Sequence, residues 1–221
     1  MANKVLVVVG AGPGVGASVA QRFGREGYDV ALVARSADAL QRIAGEMRQT
    51  GATTTWTTTD IADAAELTRA IERFGTTFGR VDLLHFNPSV FRQRDPMHLS
   101  AEDLLEDVRV GVAALLTAVQ AARPWMRAGA RITVTGSMAA DHPWHEACSL
   151  GVQKAALRNL VLSLDRTLAP DGIRATSLTV RGTLAPDSPF SPEHVADAIY
   201  AAATTSDEDW RAEVPFEGAT A

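Results

Sequence analysis

Residues 4–27 read KVLVVVGAGPGVGASVAQRFGREG, and the reading of the whole chain turns on them. Five apolar residues, Val5 to Val9, stop at Gly10, and Gly10, Gly12, Gly14 and Gly16 then crowd into seven positions. Val19, Ala20 and Phe23 recur at helical spacing until Gly27. The apolar run predicts a buried parallel strand. The turn predicts delivery into a helix whose first N–H groups have no partner inside the helix. Glycines at such a turn let the backbone approach a pyrophosphate closely, and the helix dipole favours its charge. An ordinary tight turn could carry the same glycines, but a strand before and a helix after are the context that nucleotide binding requires.

Outward from this stretch the same alternation repeats. A second strand, Val30 to Ala34, leads through Arg35-Ser36 into a helical pattern of Leu40, Ile43 and Met47. The β-branched segment Thr53 to Thr59 around Trp56 predicts a third strand, closed by Asp60. A helix over 63–78, a strand over 81–86 and a loop over 87–98 follow. Ser100 with Asp103 opens one long helix ending near Pro124. Strand Arg131 to Thr135, a loop over 136–146, a helix over 147–169 and strand Ile173 to Val180 come next. A helix opened by Ser191-Pro192-Glu193 and a short strand near 213–216 complete the pattern. Alternating strands and helices imply an α/β doubly wound parallel sheet, Rossmann-type, with helices on both faces and a single domain over residues 1–221.

At 221 residues with 46% hydrophobic and 21% charged residues, the chain is sized for one large core. A net charge of −5 with no basic block argues against nucleic acid or an anionic membrane surface as partner. The first apolar run is too short for a signal peptide or a membrane span, and the one cysteine, Cys148, suits a reducing compartment, so the expected location is cytoplasmic.

With these elements placed, residues 3–185 resemble a short-chain dehydrogenase/reductase. Gly10, Gly14 and Gly16 are similar to the family's TGxxxGxG turn, with Val9 at the threonine position and Val15 between the last two glycines. Asp60 fits the aspartate that contacts adenine, and VDLLHFNPS (81–89) is similar to the strand-end motif that carries Asn87. PDGIRATSLTVRG (170–182) resembles the segment leading to the loop at the nicotinamide, with Arg181 in place of proline and Gly182 retained. The resemblance implies a nicotinamide cofactor, a small-molecule substrate that is a carbonyl or alcohol, and a homodimer or homotetramer. It also implies catalysis by Asn, Ser, Tyr and Lys. Ser137 and Lys154 occupy two of those positions, while Gly111 stands at the asparagine and Leu150 at the tyrosine. A leucine transfers no proton.

Arg35 lies about 20 residues after the glycine turn, where a guanidinium suits a 2′-phosphate, so NADP(H) is expected in preference to NAD(H). Lys154 falls on the stripe of Leu150, Leu157, Val161 and Leu164, where a lysine needs a partner or loses its charge; the resemblance supplies a cofactor ribose. His142, His145 and Cys148 share a loop without a convincing carboxylate, and no metal is expected. Phe91, Arg92, Arg94 and His98 are expected to face the pocket mouth, where arginines would suit an acidic ligand, and Asp141 and Trp144 to cap it. The short segment 183–191, with Pro186 in place of a carboxamide-holding threonine, predicts a shortened substrate loop and an open pocket. Two readings remain: an oxidoreductase with an atypical site, and a cofactor-binding sensor or structural partner without turnover.

Overall fold

Seven strands and seven α-helices alternate along residues 2–219, the part of the chain that the computed structural model describes. In chain order they are β1 (Val5–Val9), α1 (Val15–Arg25), β2 (Asp29–Ala34), α2 (Ala37–Met47), β3 (Thr54–Thr58), α3 (Ala64–Phe78) and β4 (Leu83–Phe86). There follow α4 (Ala101–Val108), α5 (Ala114–Ala122), β5 (Arg131–Ser137), α6 (Cys148–Leu168), β6 (Arg174–Val180), α7 (Pro192–Thr204) and β7 (Glu213–Phe216). All pairings are parallel, and the strand order is β3-β2-β1-β4-β5-β6-β7. The order reverses between β1 and β4, which leaves a crevice beyond their C-terminal ends, the place where such sheets hold ligands.

Side chains alternate between two cores because a strand has a period of two. Val7, Val9, Leu84 and Phe86 pack with Leu67, Leu115 and Leu157 of α3, α5 and α6. Leu6, Val8, Leu32 and Leu83 pack with Phe23, Ile43 and Ile199 of α1, α2 and α7. The fold is the doubly wound sheet that the sequence predicts.

Helix starts divide into two kinds. Ser36, Asp63, Ser100 and Ser191 cap α2, α3, α4 and α7, each accepting from a backbone N–H of the first turn. In contrast α1 starts at Gly14 with no side-chain cap and no acid in its first turn, so its positive end is left for a ligand.

The long helix foreseen over 100–124 is divided. A π-helical turn, Arg109–Ala113, separates α4 from α5, with Gly111 at its centre. An inserted residue of this kind disturbs the apolar spacing too little to be read in sequence. Strand β5 also runs two residues beyond Thr135, carrying Ser137 on its last position. At the outer edge, β7 contains Pro215. No described helix is long and apolar enough to cross a membrane.

Candidate active site

The glycine turn is shaped by steric necessity at two positions. Gly14 has φ +101°, a conformation that side-chain-bearing residues rarely adopt. A Cβ on Gly16 would lie 2.5 Å from the Gly10 carbonyl oxygen, so only glycine lets α1 begin so close to β1. Above this turn lie two cleft halves. An outer half of 960 Å³ reaches from Gly10 and Gly12 to Arg35, Ser36 and Asp60. An inner half of 550 Å³ is lined by Gly14, Val15, Ser137, Leu150, Lys154 and Gly182, among others.

Asn87 lines both halves. Its Nδ2 donates to the Gly10 carbonyl at 3.2 Å, and its Oδ1 accepts from Thr135 Oγ1 at 2.8 Å. The side chain therefore ties the turn after β1 to the end of β5. The network continues inward, since Thr135 Oγ1 also lies 3.4 Å from Nε2 of the fully buried His85, and His85 Nδ1 lies 2.9 Å from Thr133 Oγ1. A hydroxyl has one proton. With that proton on Asn87, Thr135 accepts from His85 Nε2–H, and Nδ1 accepts from Thr133. Burial, reinforced by the nearby Lys154 ammonium, pushes His85 down to about 3, so the ring is neutral.

Lys154 projects from α6 into the inner half, 5% exposed, and its Nζ donates to the Thr135 carbonyl at 2.8 Å. No acid pairs with it among the described residues, and burial lowers its pKa to about 8. Ser137 lines the same half, its Oγ accepting from Ala139 N at 3.2 Å. Among the described residues lining this half, Lys154 is the one with an ionisable side chain. Leu150 lines it as well, at the position resembling the tyrosine.

The predicted site residues thus gather on one crevice: Gly10, Arg35 and Asp60 around the outer half; Gly14, Val15, Ser137, Lys154 and Gly182 around the inner; Asn87 between them. Arg35 is exposed and makes no ion pair among the described residues. Asp60 accepts from Ala62 N at 3.0 Å through Oδ1.

The expected arginine mouth forms only in part, because Phe91 and Arg92 line the outer half but Arg92 has no free charge to offer. Arg92 is taken up by Asp103, Glu106 and the fully buried Asp107, at 2.8, 2.9 and 3.0 Å. Arg94 and His98 line a separate polar cleft with Gln93, Asp95, His145 and Glu146. Asp141 pairs with Arg158 at 2.6 Å instead of capping the pocket. Phe91 and Trp144 do meet, ring centres 5.5 Å apart, so the two loops touch through an apolar contact. Among the described residues no group of three or more His, Cys, Asp or Glu side chains is arranged to hold a metal.

The sequence reading missed His85 and Gln153. Gln153 is fully buried and clamps Val90, its Oε1 accepting from Val90 N and its Nε2 donating to Val90 O, both at 3.0 Å. The available signal was a glutamine on the inward stripe of α6, one residue before Lys154.

A model of short chain dehydrogenases matches residues 4–187. The chain belongs to the short-chain dehydrogenase/reductase family. Among relatives of this family, oxidoreductase UcpA of Salmonella typhimurium is 31% identical over 184 residues, 80% of this chain and 68% of that protein. A Serratia marcescens short-chain dehydrogenase/reductase superposes with a TM-score of 0.86 at 26% identity, over 96% of both chains. A dehydrogenase/reductase from Sinorhizobium meliloti agrees in fold with a TM-score of 0.90 at 24% identity, covering 98% of this chain and 94% of its own. The glycine turn and Lys154 are thus set in the family's fold, with Leu150 where the resemblance expects a tyrosine.

Proposed function

We propose that the protein is an NADP(H)-dependent oxidoreductase that acts slowly on a small, largely apolar carbonyl or alcohol, with NAD(H) as the poorer cofactor. The observation that carries this reading is the position of Asn87, which lines both cleft halves and is locked to the turn on one side and β5 on the other. One extended ligand can therefore run from Arg35 to Lys154. The turn suits a pyrophosphate, because the bare Gly16 lets α1 begin tight against the Gly10 carbonyl and the uncapped start of that helix favours an anion.

In this reading Gly10, Gly14, Val15 and Gly16 hold the pyrophosphate, Arg35 takes the 2′-phosphate, and Asp60 serves the adenine. Asn87, Lys154 and Gly182 hold the nicotinamide half. The cofactor, when bound, supplies hydride chemistry. Ser137 and Lys154 offer the donors for a substrate oxygen, and Lys154 holds the proton that Leu150 cannot. Val15, Leu150, Val180 and Leu184 line the rest of the inner half, which favours an apolar substrate body, and the short 183–191 segment leaves it open.

We also infer a homodimer or homotetramer in the cytoplasm. Leu105, Leu116 and Val152 are exposed on α4, α5 and α6, which gives these helices an apolar face beyond the one they bury. Light scattering at micromolar concentration is expected to give at least twice the chain mass.

Titration with NADPH by fluorescence, followed by a panel of aliphatic and aromatic carbonyls, tests the reading. Saturable binding and slow turnover are expected. A protein that does not bind NADPH overturns the cofactor assignment, and one that binds without turnover on any carbonyl is a binding protein instead.

A further inference from the structure

Between Asn87 and Asp95 the chain has no regular secondary structure, yet this segment supplies Asn87 and Ser89 to both cleft halves and Val90 to the outer one. Asn87 N is held by the Val9 carbonyl at 3.0 Å. The next anchor is Val90, both of whose backbone groups are bound by one side chain, Gln153. That carboxamide makes a third bond, Nε2 to the Ser149 carbonyl at 3.2 Å, so both of its N–H groups and its oxygen are used in a fully buried place. A primary amide bonded to the N–H and C=O of one residue acts as a strand partner would, for a segment that has none.

The space for this carboxamide comes from the facing helix. A Cβ on Gly111, at the centre of the π-helical turn, would collide with Gln153 Oε1 and come within 3.0 and 3.1 Å of its Cδ and Cγ. Gly111 and Gln153 therefore form one unit, the first vacating what the second fills. Gln153 precedes Lys154 on α6, so the helix that aims the lysine also fixes the segment carrying Asn87 and Ser89.

We propose that Gln153 is a positioning residue for the cleft, which acts by clamping Val90 and so holding Asn87 and Ser89 in register with Lys154. The inference rests on the NADP(H) reading for its functional consequence and on geometry alone for its structural one. A merely space-filling glutamine would give the same burial, and the two are told apart by what moves when the hydrogen bonds are removed at constant volume.

The decisive variant is Gln153→Met, which keeps the packing and deletes the clamp; Gln153→Ala with Gly111→Asn brings a carboxamide into the same space from the opposite helix. Hydrogen exchange in cofactor-free protein, NADPH affinity and unfolding by denaturant are measured for each. Gln153→Met is expected to speed exchange at Asn87, whose N–H is held by Val9, as well as at Val90, and to weaken NADPH about tenfold, the scale of one or two net hydrogen bonds. The double variant is expected to recover most of both. Exchange that rises at Val90 alone, or NADPH affinity unchanged while exchange rises, overturns the proposal, as does affinity lost in proportion to global stability without recovery in the double variant. If the unaltered protein does not bind NADPH, the cofactor reading fails, and exchange at Asn87 still decides the positioning role.

Discussion

Lys154 Nζ lies 2.8 Å from the carbonyl oxygen of Thr135, and no carboxylate pairs with it among the described residues. A neutral acceptor compensates a buried ammonium only in part, which is why burial holds this lysine near 8. If Lys154 supplies the proton in carbonyl reduction, the rate at saturating cofactor is expected to be level below about pH 8 and to fall as the lysine loses its proton above it. A pH profile that stays flat to pH 10 would remove Lys154 from that role.

The same lysine is expected to lower the stability of the cofactor-free protein. Its folded pKa is below its unfolded value, so the unfolded chain binds the proton more tightly. The cost is full below about pH 8 and is relieved as pH rises from there toward 10.5. Lys154→Met is expected to stabilise the unliganded protein at pH 7 by about 1–2 kcal/mol after loss of the Thr135 bond, while abolishing tight NADPH binding. Denaturant unfolding and fluorescence titration on the same preparation check both halves.

Leu150 lines the inner half of the cleft one helical turn before Lys154, so Leu150→Tyr would bring a phenol to the group best placed to lower its pKa. A placed general acid contributes about 10² to 10⁴ in rate, and with Gly111 and the short 183–191 segment unchanged a gain of about tenfold in kcat is expected. Steady-state kinetics that leave kcat where it was would mean that proton transfer does not limit the reaction.

Among the described residues, Arg35 is the one guanidinium lining the outer half that makes no ion pair. Arg35→Ala is expected to weaken NADPH by about 1.5–3 kcal/mol, roughly tenfold to a hundredfold, while leaving NADH nearly unaffected. An unchanged ratio of the two dissociation constants would place the phosphate elsewhere.

His85 has no exposure and is held neutral, with a folded pKa near 3 against an ordinary value of 6.5. The unfolded chain takes up that proton first, so stability is fully present above about pH 6.5 and is lost as pH falls from there toward 3. The loss is about 1.4 kcal/mol per pH unit in the steepest part. His85→Gln can keep a bond to Thr133 and is expected to flatten this slope. Unfolding free energies measured between pH 4 and 7 for both proteins give the comparison.

The strands were legible because Val5–Val9 is a continuous apolar run and the sheet's two faces alternate through it, and two helix starts because Ser100 and Ser191 announce themselves as caps. Residues on the crevice could be named because their spacing is local to a strand end. What escaped was whatever depends on partners brought from afar. Gln153 meets a backbone 63 positions earlier, and His85 meets hydroxyls 48 and 50 positions later. Arg92 does line the outer half, but its neutralisation escaped for the same reason: the acids lie on another element, and an arginine in a loop looks free until that helix is placed against it.

Pro215 gives the sheet a boundary. Along β6 the bonds run to even-numbered residues in and next to the last strand, with Ser177 N donating to Ala212 O and Arg181 N to Phe216 O, so the nitrogen of Pro215 faces outward and has no hydrogen to offer. A strand arriving from another molecule would find a gap in the row of donors it must match. The edge is therefore a poor template for cross-β growth when copies of this chain meet at high concentration.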